Sequence, residues 1–169
     1  MVETKRILRI GLGYDIHPFS EERKLFLGGV EIPYSKGLKG HSDGDVLVHA
    51  IMDALLGALG FPDIGFFFPN NDEKYENIKS IILLDEVMKK VKERKFSIEN
   101  IDVVIIAEEP KILPYRDEII SNLSRHLFIL PEQINIKATT NEGLGFIGRK
   151  EGIAVLAIAL LSKEREDGR

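Results

Sequence analysis

The sequence predicts an α/β fold, an α+β sandwich in which a mixed β-sheet carries helices packed on one face. Three observations predict it. Strand-like and helix-like segments alternate along the 169 residues. Hairpin signals interrupt that alternation, so the sheet is not purely parallel. Helical segments show one apolar and one charged face, as helices lying on a sheet do. At this length one domain, residues 1–169, is the economical expectation, and it is large enough to bury a core unaided.

Residues 7–14 read as a strand that runs into Asp15-Ile16-His17. Residues 25–27 and 30–32, joined by Gly28-Gly29, have the form of a β-hairpin that Pro33 ends. Residues 42–59 read as a helix, with Ser42 as N-cap and Asp45 reaching back as in a capping box. Leu47, Ile51, Ala54, Leu55 and Ala58 form its apolar stripe, while Asp45, His49, Met52, Asp53 and Leu56 fall on another face. Residues 60–72 read as a loop.

Residues 77–94 form an amphipathic helix with Ile78, Ile81, Leu84, Met88 and Val91 turned inward. The β-branched run 101–107 is a buried strand. Pro114 suits the first position of a helix marked by Tyr115, Ile119, Leu123 and Leu127, and residues 134–138 alternate like a strand. Residues 152–161 admit either reading, because alanine favours helix and the even apolar run favours strand. The charged tail is expected to fray over 161–169.

Cysteine is absent, which excludes disulfides, thiolate zinc sites and cysteine nucleophiles. The net charge of -4 is interspersed, with no basic stripe for nucleic acid. Anionic ligands would be neutralised by metals or by a few residues such as Lys111, Lys137 and Arg149. No apolar run reaches the ~20 residues of a membrane span, and the polar N-terminus is no secretory signal. A soluble, cytoplasmic protein is expected.

Asp15 and His17 are two apart on a strand, so they project to the same face. His49, on the helix, can bring a third ligand. Two imidazoles and a carboxylate with one position open describe a catalytic zinc site. Each residue also has a plainer reading: a surface turn for Asp15 and His17, a core position for His49, a cap for Asp45. Asp45, one turn before His49, can also orient its ring. His41-Ser42 falls where the helix begins, a place for phosphate or merely for a cap. Thr139, Thr140 and Asn141 offer polar groups after a strand, Glu142 a hard oxygen for Mg²⁺ or Mn²⁺, and Arg149 a phosphate partner. His126 reads as a surface residue.

Taken together, Tyr14-Asp15-Ile16-His17, Leu27-Gly28-Gly29-Val30, His41-Ser42-Asp43-Gly44-Asp45, His49-Ala50, Asp63-Ile64-Gly65, Phe68-Pro69, Lys137-Ala138-Thr139-Thr140, Glu142 and Gly148-Arg149-Lys150-Glu151-Gly152 resemble the 2-C-methyl-D-erythritol 2,4-cyclodiphosphate synthases. The resemblance runs in order from Arg9 to Leu161. It implies a non-mevalonate isoprenoid enzyme, a phosphorus–oxygen lyase. Its substrate is a cytidine-diphosphate-linked methylerythritol 2-phosphate, whose own 2-phosphate attacks the β-phosphorus and expels CMP. By resemblance, Asp15, His17 and His49 bind zinc and Glu142 helps hold Mg²⁺ or Mn²⁺. His41 and Thr140 stabilise the transition state, with Ser42 on phosphate.

The resemblance also assigns Asp63 and Gly65, with the loop Phe68, Pro69, Asn70, Asn71 and Asp72, to the methylerythritol end, and counts Asp15, Ile16, His17, Ile64 and Asn141 among the residues that bind substrate. It assigns Ala107, Glu108, Glu109, Pro110, Lys111, Ile112 and Leu113 to the cytosine pocket, with Thr139 contacting the nucleotide. It further implies a homotrimer with active sites at subunit interfaces and a central cavity for an isoprenoid diphosphate near Phe146 and Arg149. Asn141, Gly143 and Phe66 depart from the family pattern, and Glu108 and Glu109 bring negative charge to the pocket. Two other readings use the same residues: a metal-dependent phosphohydrolase, and a non-catalytic trimer that binds isoprenoid diphosphates.

Overall fold

A computed structural model describes residues 5–165. The elements are β1 (Arg6–Ser20), β2 (Leu25–Leu27), β3 (Val30–Ile32), β4 (Gly37–Leu38), α1 (Val46–Ala58), α2 (Ile64–Phe67), α3 (Ser80–Glu93), β5 (Ser97–Ile106), α4 (Arg116–Leu127), β6 (Ile134–Thr139), α5 (Gly145–Gly148) and β7 (Gly152–Glu164). Five strands form one sheet in the order β4-β1-β7-β5-β6, and β2 and β3 pair as the expected hairpin. Only β5 and β6 run parallel in the large sheet; the other pairs are antiparallel. The sheet is therefore mixed, as expected.

Alternation along the two long strands defines two unlike faces. On one, Ile153, Val155, Ala157, Ala159 and Leu161 of β7 are buried. On the other, Leu8, Ile10, Leu12, Tyr14 and Ile158 are about half or more exposed. Helix α1 lies on the first face. It comes so close that a Cβ on Gly11 would stand 1.8 Å from the Ala54 carbonyl oxygen, and one on Gly13 1.9 Å from that of Ala50. Only glycine permits this contact. With α3 packed beyond it, α1 is buried nearly all round: Leu47, Ile51, Met52, Leu55 and Leu56 have no exposed surface. Each contributes roughly 1.5–3 kcal/mol of burial.

Several boundaries differ from expectation. Strand β1 continues through Asp15 and His17, because it pairs with β7 as far as Pro18 and Gly152. Helix α1 starts at Val46 with Asp45, not Ser42, as its N-cap. Asp45 accepts from Val48 N (3.1 Å) and also from Gly28 N (3.0 Å) and Gly29 N (2.6 Å), so the cap doubles as the anchor of the β2–β3 turn. Helix α3 starts at Ser80, which leaves Ile78 before it. The loop 60–72 contains α2. Residues 152–161 are strand, with Ala157 and Ala159 buried on the helix-bearing face. The expected fraying is corrected over 161–164, where Leu161 is fully buried and Ser162 and Lys163 pair with β1. Residues 166–169 lie outside the described part of the chain.

Candidate metal centre and the phosphate-side loops

Asp15 and His17 stand on the helix-bearing face of β1, two residues beyond Gly13, and His49 on α1 comes down over them. His17 Nε2 lies 2.8 Å from Asp15 Oδ2. His49 Nδ1 lies 3.0 Å from the same oxygen and 3.2 Å from His17 Nε2. Ligand atoms at ~2.0–2.1 Å around a tetrahedral zinc ion stand roughly 3.3 Å apart, so the donor set fits such an ion closely. Among the described residues this is the one group of three or more such side chains poised to share a cation.

The outward sides of the ligands are held. His17 Nδ1 donates to the Lys39 carbonyl. His49 Nε2 meets Ser80 Oγ at 2.9 Å and Ser42 Oγ at 3.1 Å. Asp45 is thereby corrected as the partner of the His49 ring, since its carboxylate is spent on three backbone N–H groups. Burial pushes that carboxyl up to about 6, with the charge of Asp43 adding to the effect and those N–H bonds opposing it.

Burial opposes ionisation of Asp15, but the hydrogen bonds and charges of His17 and His49 outweigh it and hold the carboxyl well below its ordinary range. Burial likewise disfavours the His17 cation, yet the hydrogen bond and charge of Asp15, with the Lys39 carbonyl, raise it above 6.5. Protonation of His17 therefore competes with a cation for the space between these three groups.

A cavity of about 270 Å³ opens beside this cluster. It brings together Asp15, Ile16, His17, His41, Ser42, His49, Ile64, Gly65, Phe68 and Asn70 of the expected set. Tyr75 and Leu83, which sequence reasoning did not single out, complete its wall with Gly40. Asp53 accepts from Ile64 N (2.8 Å), and Asp63 caps α2 through Phe66 N (3.1 Å), which fixes the Asp63-Ile64-Gly65 segment. Pro69, Asn71 and Asp72 follow on the adjoining loop, where the Asp72 carbonyl meets His41 Nε2 at 3.2 Å. Arg23, also not foreseen, donates to the carbonyls of Gly40 and Ser42 and holds that segment in place.

The remaining expected residues gather elsewhere. Ile16, Ala154, Ile106 and Thr139 form one row across β1, β7, β5 and β6. With about 4.8 Å between neighbouring strands, the end of β5 lies roughly 10 Å, and the end of β6 roughly 14 Å, across the sheet from the strand that carries Asp15 and His17. Ala107 N donates to the Thr139 carbonyl (3.0 Å), tying the two loops together. Thr140 Oγ1 donates to Glu142 (3.0 Å), which is exposed and has a left-handed backbone, φ 51°.

Glu108 accepts from Asn141 N (2.9 Å) and Gly143 N (3.2 Å), so its charge organises the turn that presents Glu142. Glu109 pairs with Lys150 (2.8 Å) and accepts from the Tyr34 hydroxyl; burial and Glu109 together push the Tyr34 phenol up to about 12. The Glu109–Pro110 bond is cis. Lys111 and Leu113 are exposed, whereas Ile112 belongs to the core. Phe146 is half exposed and Arg149 pairs with Glu151 (2.6 Å). Lys137, on the edge strand β6, is bound to Asp102 of β5. His126 is corrected from a surface residue to a half-buried one bonded to Asp85 (2.8 Å).

Fold and site thus define an α/β protein with a two-histidine, one-carboxylate cluster suited to a divalent cation. No helix among the described residues is long and apolar enough to cross a membrane. The chain belongs to the YgbB family, whose model matches residues 8–162. It is 53% identical over 162 residues to the 2-C-methyl-D-erythritol 2,4-cyclodiphosphate synthase of Carboxydothermus hydrogenoformans, covering 96% of this chain and 99% of that one. Among solved structures it resembles IspF of Plasmodium falciparum in complex with CDP, at 42% identity and a TM-score of 0.82, over 94% of this chain and 97% of that one. It also resembles the bifunctional IspDF of Campylobacter jejuni, at 45% identity and a TM-score of 0.91, over 94% of this chain but 43% of that longer one.

Proposed function

We propose that this chain is a cytoplasmic, CMP-releasing cyclodiphosphate synthase. It converts 4-diphosphocytidyl-2-C-methyl-D-erythritol 2-phosphate to 2-C-methyl-D-erythritol 2,4-cyclodiphosphate in the non-mevalonate isoprenoid pathway. The observation that carries the proposal is the Asp15–His17–His49 cluster beside a polar-rimmed cavity, in a chain 53% identical to a synthase of that name over nearly its whole length.

Asp15, His17 and His49 would hold zinc, and Glu142 would help hold Mg²⁺ or Mn²⁺. When bound, these ions would supply positive charge against the diphosphate beside a cavity whose lining holds no lysine or arginine. The chain's own residues position. His41 and Thr140 flank the transferring phosphoryl group, and Asp63, Gly65 and the loop from Phe68 to Asp72 hold the methylerythritol end. The loop from Ala107 to Leu113, with Thr139 and Asn141, receives the cytidine. Ser42 walls the cavity, although its hydroxyl is turned to His49 and Ser80. No side chain needs to attack, because the substrate's own phosphate is the nucleophile, and catalysis then rests on orientation and charge.

The roughly 14 Å across the sheet from the strand of the metal cluster to the end of β6, which leads to the Glu142 turn, supports a homotrimer in which the cluster of one subunit meets the nucleotide-side loops of its neighbour. The open sheet face supports it too: Leu8 (60% exposed), Ile10 (72%) and Leu12 (63%) form an apolar surface that asks for a cover. Phe146 and Arg149 would then border a central cavity suited to an isoprenoid diphosphate.

Incubation of the purified protein with the cytidine-diphosphate-linked substrate, Zn²⁺ and Mg²⁺ should release CMP and the cyclic product in equal amounts. An acyclic diphosphate or inorganic phosphate would instead establish a hydrolase. Binding of prenyl diphosphates without CMP release would establish a non-catalytic trimer.

A further inference from the structure

Behind His49, Ser80 and Asp43 form a polar pair that belongs neither to the cavity wall nor to the ligand set. Ser80, the first residue of α3, has no exposed surface. Its hydroxyl donates to Asp43 Oδ1, while its backbone N–H donates to Asp43 Oδ2 at 3.1 Å. The same hydroxyl oxygen lies 2.9 Å from His49 Nε2 and 3.0 Å from Ser42 Oγ. Asp43 also accepts from Asp45 N at 3.3 Å.

The proton positions follow from counting donors. A carboxylate only accepts, so the single hydroxyl proton of Ser80 goes to Asp43. The Ser80 oxygen must then accept from its other neighbours, which places a proton on His49 Nε2 and leaves Nδ1 as the nitrogen free to meet a cation. Nδ1 is the nitrogen that faces Asp15 and His17. His17 is oriented by the same logic with its nitrogens exchanged: the Lys39 carbonyl takes the Nδ1 proton and leaves Nε2 facing inward.

We propose that Ser80, backed by Asp43, is a positioning residue that sets the His49 tautomer so that Nδ1 is presented to the cation. The proposal rests on reading Asp15, His17 and His49 as a cation site. Ser80 touches neither substrate nor ion and acts through the ring alone. Asp43 serves α3 as well, since its carboxylate takes up the first N–H of a helix whose own N-cap, Lys79, makes no side-chain bond. The fold of α3 and the orientation of a ligand on α1 are thereby tied to one carboxylate.

Histidine ¹⁵N NMR on the metal-free wild-type protein should show a proton on His49 Nε2; a bare Nε2 overturns the proposal without recourse to any variant. Ser80→Ala keeps the backbone bond to Asp43 and should fold. It should lose the tautomer preference and bind Zn²⁺ about 10- to 100-fold more weakly in competition with a chromophoric chelator. Because Ser42 Oγ remains near the ring as an alternative acceptor, the lower end of that range is expected. Ser80→Thr, which keeps the hydroxyl, should recover most of the affinity. Wild-type zinc affinity together with a retained Nε2–H form in Ser80→Ala would overturn the proposal. Failure of the wild-type protein to bind Zn²⁺ would overturn the cation site itself, a result separable from the tautomer seen in the metal-free protein.

Discussion

The metal cluster and the Glu142 turn are built in opposite ways. Asp15, His17 and His49 stand on a long central strand and a buried helix, held at distances that vary by only a few tenths of an ångström. Glu142 stands on an exposed turn of positive-φ residues, shaped by N–H bonds to the Glu108 carboxylate and by the bond from the Thr140 hydroxyl. One half is complete within a single chain; the other is presented outward. A group that must hold an ion in fixed geometry gains from rigid elements, whereas one that must meet a substrate or neighbour gains from a preformed but exposed turn.

Substitutions at the two ends sharpen the contrast most. His49→Ala should lose the cluster's metal and reduce turnover by about 10³-fold or more while the protein stays folded, since several kcal/mol of transition-state stabilisation are removed. Metal analysis, circular dichroism and CMP release check this, and a full metal complement would refute the ligand assignment. Glu142→Gln should cost about 10²-fold in turnover yet leave zinc at the cluster.

Next come two glycines. Gly13→Ala forces a Cβ to within 1.9 Å of a helix carbonyl and should destabilise the protein by about 3 kcal/mol in urea unfolding, with weaker zinc binding. Gly143→Ala meets nothing within 4 Å and should cost only the left-handed backbone term, about 1 kcal/mol. Equal costs would break the comparison.

A smaller effect concerns pH. The raised His17 stabilises the metal-free fold below 6.5 and loses that contribution as pH rises through its folded value. The lowered Asp15 stabilises above 3.8 and loses its contribution as pH falls through its folded value. The pair therefore supports the metal-free fold most fully between 3.8 and 6.5. Zn²⁺ must displace the His17 proton, so affinity should rise about tenfold per pH unit until the raised His17 value is passed, and then level off. Chelator competition across that range measures the slope, and a flat profile would contradict the assigned proton. Smallest of all, Glu108→Gln should slow turnover only a few-fold, with zinc affinity unchanged, because two N–H bonds to the turn are weakened rather than lost.

Much of this was legible in the chain. Asp15 and His17 share a face because strand side chains alternate, and the spacing of residues 42–59 marks a helix. What escaped depends on partners far away in sequence. Ser42 and Asp45 both suit a cap; the choice falls to Asp45 because the Gly28 and Gly29 N–H groups converge on it. Ser80 gives no local signal, since its chemistry comes from Asp43, 37 residues earlier. Strand β7 was ambiguous because both its faces are apolar, one against α1 and one open. The nearly seamless approach of α1 to β1 is written in Gly11 and Gly13, whose role shows only when the helix is in place.

That approach has a consequence for which ion the cluster accepts. The His49 backbone cannot draw back from Asp15 and His17 unless α1 parts from β1, and the helix backbone already touches the strand at Gly11 and Gly13. The spacing of the backbone positions that carry the three side chains is therefore set by contact between helix and strand, with the rings held by their own hydrogen bonds. A cluster of two imidazoles and one carboxylate is a poor match for calcium, which needs six to eight oxygens at about 2.3–2.6 Å, and backbones so close leave little room to add ligands by drawing apart. Part of the shape of that cluster is thus owed to two residues that have no side chain at all.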